Sequence, residues 1–79
     1  MTQLHYYVEA GGPRLRTLYD ELGGLVADPL SLMLTAFSDA NPPDYRCWVR
    51  LPNGRTFGKH AYTIEDAMRN LIYKLRRAP

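Results

Sequence analysis

The sequence predicts an α+β domain in which a small antiparallel sheet of three to four strands carries two helices on one face, in the order β-α-β-β-β-α. Three observations predict this fold class. Residues 45–51 alternate in polarity as a strand does, Pro52-Asn53-Gly54 follows as a tight-turn signal, and apolar residues recur at helical spacing between residues 64 and 75. Together they predict a β-hairpin followed by a helix.

The strand over residues 45–51 has two distinct faces. One face comprises Tyr45, Cys47, Val49 and Leu51, and the other comprises Arg46, Trp48 and Arg50. Successive side chains of a strand point to opposite sides, so the apolar set suits the core. The arginines and the tryptophan are then expected to face solvent or a partner.

The turn after this strand predicts how the hairpin pairs. Proline first and glycine third fit a type I turn closed by a glycine bulge. The resulting pairs are Leu51 with Arg55, Val49 with Phe57, and Trp48 with Gly58. We therefore expect Phe57 in the core and Trp48 on the outer surface over Gly58.

The second helix has a clear start, apolar face and end. Thr63 is the expected N-cap, and Glu65 and Asp66 complement the positive end of the helix dipole. The apolar stripe is Ile64, Ala67, Met68, Leu71, Ile72 and Leu75. Lys74, Arg76 and Arg77 suit the negative helix end and are expected to stay hydrated.

The N-terminal half predicts one strand and one helix. Leu4, Tyr6 and Val8 alternate with polar or amphipathic neighbours, which favours a short edge strand ending at Gly11-Gly12-Pro13. Apolar residues at helical spacing then predict helix one from about residue 14 to Gly23 or Gly24.

Residues 30–38 fit two structures. Asp28-Pro29 could begin a helix, whereas Leu30, Leu32, Leu34 and Ala36 alternate as a strand would. The alternation favours a strand, followed by a polar loop over residues 39–44.

Length, charge and cysteine count limit the classes of protein to which the chain could belong. The 79 residues form a single domain, residues 1–79, with 46% apolar and 23% charged residues, as in ordinary soluble proteins. The net charge of +2 is too small to indicate a polybasic nucleic-acid or membrane protein. One cysteine allows no internal disulfide and fits a reducing cytoplasm, and neither a signal peptide nor a membrane span is expected.

The titratable residues predict neither catalysis nor a cofactor. His5, Cys47 and His60 lack metal-ligand spacing, so no metal site is expected. His60 is expected near Arg46 on the outer face, where it could serve as an acid or base in RNA cleavage. No second catalytic group is placed beside it by the sequence, so a nuclease ranks last and a binding protein, not an enzyme, ranks first.

Residues 14–77 resemble the double-stranded RNA-binding domain. The resemblance lies in Tyr45-Arg-Cys-Trp-Val-Arg-Leu-Pro-Asn-Gly-Arg-Thr-Phe-Gly, with its alternating strand and Asn-Gly turn, and in Thr63 and Ala67. It implies a helix, three antiparallel strands and a helix. The lysines with which that family grips phosphates are replaced by Ile64, Glu65 and Met68, so the resemblance implies the fold without that RNA-binding mode.

In size and make-up the chain also resembles the small phage-encoded inhibitors of CRISPR systems, with no shared motif. That resemblance implies docking on a nucleic-acid-handling effector complex in the host cytoplasm and blocking of target DNA, by a monomer or weak dimer. The expected partner-binding residues are Arg46, Trp48, Arg50, Lys59 and His60. The alternative is a small RNA- or DNA-binding module that uses the same residues.

Overall fold

A computed structural model describes residues 2–77. Its strands are β1 (Thr2–Gln3), β2 (Leu32–Phe37), β3 (Asp44–Leu51) and β4 (Gly54–Phe57), and its helices are α1 (Leu4–Gly11), α2 (Pro13–Gly23) and α3 (Ile64–Arg77). A single 3-10 turn, Pro29–Ser31, precedes β2. The α+β class is confirmed, with the order β-α-α-β-β-β-α and three helices in place of two.

The four strands form one antiparallel sheet in the order β1-β2-β3-β4. Helix α3 packs on β3 and α1 packs on β2, while α2 lies against the other two helices. Buried apolar side chains between the helices and one side of the sheet form the main core. Its fully buried residues include Leu4, Leu22 and Leu71 from the helices and Leu34 and Cys47 from the sheet. Within residues 2–77, no helix packs on the other side of the sheet.

The strand predicted over residues 4–8 is wrong, because this segment is helix α1. Leu4 and Val8 are one helical turn apart and both are buried, whereas Tyr6 is 60% exposed. A helix therefore buries this pair against the core better than a strand would. The predicted edge strand does exist, but it is β1, where Thr2 pairs with Leu34.

The boundary between α1 and α2 explains the Gly11-Gly12-Pro13 signal. Gly12 has φ 83°, a left-handed value that favours glycine, and Pro13 occupies the first turn of α2. The signal therefore joins two helices where a strand-to-helix turn was expected. Helix one itself is confirmed as α2, which ends at Gly23.

The two interpretations of residues 30–38 are each correct over part of the segment. The Asp28 side chain accepts a hydrogen bond from the Leu30 backbone N–H at 3.0 Å and starts the 3-10 turn. The chain then becomes extended, and β2 pairs with β3 from Leu32 to Phe37. The predicted strand is confirmed with a later start.

The predicted hairpin is confirmed, but its register is shifted by one residue. Leu51 pairs with Gly54 across a two-residue turn, so Trp48 pairs with Phe57. A one-residue shift moves each side chain of a strand to the opposite face. Phe57 therefore lies on the outer face with Trp48, and the predicted core position of Phe57 is wrong.

Gly58 packs against α3, and not under Trp48 as predicted. A Cβ atom on Gly58 would lie 2.7 Å from the backbone nitrogen of Leu71, so only glycine permits this approach of backbone to helix. At the start of α3, the Asp66 N–H donates to Thr63 Oγ1 at 3.1 Å, which confirms the predicted cap. The predicted apolar stripe of α3 also lies in or against the core.

Candidate interface on the open face of the sheet

The side of the sheet opposite the helices, here called the open face, has its own apolar layer. Met33, Trp48 and Phe57 are cross-strand neighbours on β2, β3 and β4, and they stand apart from the main core. Phe37 lies on the same face near the end of β2 and is 59% exposed. Met33 and Trp48 are buried, so the apolar surface that this face exposes comes from Phe37 and the half-buried Phe57.

Trp48 is fully buried, so the expectation of an exposed anchor is wrong. Its ring stacks on Phe57 with centroids 5.4 Å apart, and its indole N–H donates to Thr35 Oγ1 at 3.0 Å. These contacts satisfy the polar atom of the indole and shield its faces. Trp48 therefore lies beneath the exposed residues of the open face and is not available to stack on a base.

Three arginines, Arg46, Arg50 and Arg55, lie over this aromatic pair and are called here the arginine layer. The guanidinium carbon of Arg55 is 4.9 Å from the Trp48 ring centroid, and that of Arg50 is 6.0 Å from it. Arg46 lies 5.8 Å from the Phe57 ring centroid. Cation–π attraction holds the guanidinium groups near the rings, while all three residues remain exposed.

Arg50 and Arg55 are direct cross-strand partners, so two positive charges face each other. Like charges at directly opposite positions destabilise a sheet. Within residues 2–77, no carboxylate lies within 4.0 Å of any member of the arginine layer, since every ion pair there involves other cations. An external anion would relieve this repulsion.

Lys59 and His60 lie beside the arginine layer and not within it. Both border a groove along the outer edge of β4, which Arg46 also lines. The Nδ1 atom of His60 is 3.5 Å from Asp44 Oδ1, in a pair whose side chains are 56% and 42% exposed. Four of the five predicted partner-binding residues are therefore exposed on or beside the open face: Arg46, Arg50, Lys59 and His60. The fifth, Trp48, lies beneath the arginine layer.

The first turn of α3 is acidic. Glu65 contacts Arg69 at 3.2 Å and Arg14 at 3.8 Å, and Met68 is buried in the core. The three residues that stand where the RNA-binding family has lysines are therefore an ion-pair partner, Glu65, and two apolar residues in or against the core, Ile64 and Met68. The first turn of α3 itself contributes two carboxylates, Glu65 and Asp66, where that family contributes lysines to phosphates.

Cys47 is a buried core thiol. Burial raises its pKa to about 12, and a backbone hydrogen bond at Trp48 opposes this only in part. A thiol with so high a pKa is almost entirely protonated at neutral pH and is a poor nucleophile or metal ligand. In the part of the chain that the structure describes, no group of three or more histidine, cysteine or acidic residues could hold a metal ion.

Arg55 and Phe57 are the residues of the candidate interface that the sequence analysis missed. The sequence analysis assumed a three-residue turn, which would place Arg55 on the core side of β4 and Phe57 in the core. A two-residue turn aligns Arg55 with Arg50 and Phe57 with Trp48, and the aromatic pair was the available signal for this register.

Over residues 2–77, no helix combines the length and the apolar character that crossing a membrane requires. Comparisons of the chain with protein-family models, curated proteins and solved structures found no significant match.

Proposed function

We propose that the protein is a non-enzymatic inhibitor that docks through its open face on a nucleic-acid-handling effector complex, such as a CRISPR surveillance complex, and blocks binding of target DNA. One observation carries the proposal: Arg50 and Arg55 oppose each other over Trp48 with no carboxylate near them in the described chain. Arginine and aromatic residues are enriched where binding energy concentrates at protein interfaces. The surface that this layer fits is therefore anionic.

The form of the arginine layer favours firm docking. Guanidinium groups bind carboxylates and phosphates in a bidentate manner, and the rings beneath them limit their motion before binding. Less side-chain entropy is then lost when the partner binds. The layer suits a patch of carboxylates on the effector's protein or of phosphates on its RNA.

The test is a gel-shift assay of a purified CRISPR surveillance complex on its target DNA, with increasing amounts of this protein. We expect the wild type to prevent DNA binding and the R50Q/R55Q variant to be at least about tenfold weaker, because two charge-assisted contacts are lost. R14Q/R16Q removes the same charge from α2, where both arginines are paired only at the surface, and should inhibit like the wild type. A wild type without effect on DNA binding would refute the inhibitor.

Direct binding of RNA or DNA is the second candidate function, favoured by three exposed arginines on one face and by the resemblance in strand and turn pattern. Three neutralised phosphates give a salt slope of about −2.7, so affinity would fall roughly 40-fold between 50 and 200 mM salt. Fluorescence anisotropy with labelled double-stranded RNA, double-stranded DNA and single-stranded DNA measures this. Tight, salt-sensitive binding to a free nucleic acid, lost in R50Q/R55Q, would place this function first.

A further inference from the structure

The outer edge of β4 borders a groove whose other wall is the C-terminal half of α3. The groove has a volume of about 990 Å³, and its walls include Thr56 and Phe57 from β4 with Tyr73 and Leu75 from α3. The Asn70 side chain donates to the Lys59 carbonyl oxygen at 3.0 Å and ties the helix to the segment after β4. The groove thus lies between a sheet edge and a helix that this hydrogen bond joins.

The edge of β4 has backbone groups available for another strand. Gly58 N–H donates to the Cys47 carbonyl at 2.9 Å, so the pair Cys47 and Gly58 is hydrogen-bonded. Pairs alternate in an antiparallel ladder, which makes Trp48 with Phe57 and Arg50 with Arg55 non-hydrogen-bonded pairs. The N–H and C=O groups of Arg55 and Phe57 therefore point away from β3, toward the groove.

The border of the groove is cationic. Arg46, Lys59, Lys74 and Arg77 line it, and no aspartate or glutamate does. The guanidinium carbon of Arg77 lies 5.2 Å from the Tyr73 ring centroid on the helical wall, and Tyr73 is 64% exposed. The neighbouring Arg76 instead turns to α2 and contacts Glu21 at 2.7 Å. Charge complementarity therefore selects an acidic occupant.

We propose that this groove binds an extended acidic peptide of a partner protein, which adds to the sheet as a strand beside β4. Main-chain hydrogen bonds to Arg55 and Phe57 would supply affinity, as in other complexes that extend a sheet edge. Alternate side chains of the added strand point to opposite faces, so apolar residues would enter beside Tyr73 while acidic residues would face Arg46 and Arg55. The site adjoins the open face, because Arg46 borders both.

A second copy of this chain is a poorer occupant. Pairing two β4 edges would bring Arg55 and Lys59 of one copy close to the same cations of the other. Charged residues on short edge strands are a common means by which proteins prevent such pairing. An acidic strand meets no such repulsion.

The probe is a capped hexapeptide of alternating glutamate and valine, titrated into the ¹⁵N-labelled protein and followed by NMR. We expect the amide signals of Arg55 and Phe57 to shift and a lysine–valine peptide to bind at least tenfold more weakly. K59A/K74A should weaken binding about five- to tenfold, with R14Q/R16Q as the control. Arg50 is on β3, one strand from the edge, so Arg50→Gln should leave peptide binding intact. The inhibitor proposal and the peptide proposal can therefore fail independently.

N-methylated probes test strand pairing itself. Only every second residue of an added strand directs its N–H toward β4, so methylating either all glutamates or all valines should abolish binding in one case only. Loss in both cases or in neither would overturn the proposal. So would binding of oligothymidine but not of the acidic peptide at this groove. A dimer in solution, near twice 9.1 kDa, with protected Arg55 and Phe57 amides would instead assign the edge to a second copy.

Discussion

The indole ring of Trp48 stacks on the phenyl ring of Phe57, with centroids 5.4 Å apart and planes inclined by 27°. The pair lies on the open face of the sheet, and Trp48 is fully buried there. Trp48 is buried outside the main core, so the domain has a second apolar layer. Met33, Trp48 and Phe57 form this layer on three strands, and the arginine layer covers it. The same residues therefore stabilise the sheet and position the charges of the proposed interface.

Truncating Trp48 should destabilise the whole domain. Replacing a buried tryptophan by alanine typically costs about 3–5 kcal/mol, whereas a domain of 79 residues has a total stability of about 4–12 kcal/mol. We expect Trp48→Ala to lose about 3–5 kcal/mol of stability in urea denaturation monitored by circular dichroism. Trp48→Phe keeps an aromatic ring against Phe57 and should lose much less.

Trp48→Ala is therefore not a test of partner binding, although the sequence predicts Trp48 as a partner-binding residue. Loss of binding by a Trp48→Ala protein could simply reflect unfolding. A Trp48→Ala protein as stable as the wild type would contradict the buried position of the indole.

The fluorescence of Trp48 should report burial directly, because it is the single tryptophan of the chain. We expect emission at short wavelength and weak quenching by acrylamide, since Phe57 and the arginine layer exclude solvent from the ring. The same protein in concentrated guanidinium provides the control and should quench strongly. Equal quenching in the folded and unfolded states would show that the ring is exposed.

The shifted hairpin register shows why the sequence predicted the strands but not the interface. Alternation in residues 45–51 assigned Arg46 and Arg50 to the outer face correctly, because it depends only on the backbone period. The partner of each residue depends also on the length of the turn, and Pro52-Asn53-Gly54 is compatible with two lengths. A difference of one residue moved Phe57 from the predicted core to the open face.

The N-terminal segment illustrates a second limit. Leu4, Tyr6 and Val8 fit a period of two, while Leu4, Tyr7 and Val8 fit a helical period, and eight residues cannot separate these patterns. The choice is made by tertiary packing, since Leu4 and Val8 both enter the core in the helix. By contrast, α3 has a cap, an acidic first turn and a long apolar stripe, and these consistent signals predicted it correctly.

Adding one methyl group at Gly58 should separate the sheet from α3. The new Cβ atom would lie 2.7 Å from the Leu71 nitrogen and 2.9 Å from its Cα atom, and helix backbone cannot yield as a flexible side chain does. We expect Gly58→Ala to lose about 2 kcal/mol in urea denaturation, as overpacking typically does.

Gly24→Ala is the matched control for this substitution. Gly24 has φ −77°, which any residue adopts, and its nearest contact to a new Cβ atom would be 3.5 Å away. The stability of the Gly24→Ala protein should stay within about 0.5 kcal/mol of the wild type or rise slightly. Equal stabilities for the two variants would mean that Gly58 does not touch the helix.

The buried Cys47 thiol should make stability depend on alkaline pH. Burial raises its pKa to about 12 from the ordinary value of 9.0, so the folded state keeps the proton over a range in which the unfolded state loses it. The stabilising contribution is therefore complete below pH 9 and is lost progressively as the pH rises toward 12. At pH 10 the loss is on the order of 1 kcal/mol.

Urea denaturation at pH 8 and pH 10 measures this loss, with Cys47→Ala as the comparison because tyrosines and lysines also titrate in this range. The wild type should lose more stability between the two pH values than the variant. Ellman's reagent should react slowly with the folded protein at pH 8 and rapidly in guanidinium, because only the unfolded state exposes the thiol. Fast reaction of the folded protein would place Cys47 at the surface, and the alternation of β3 would then be inverted.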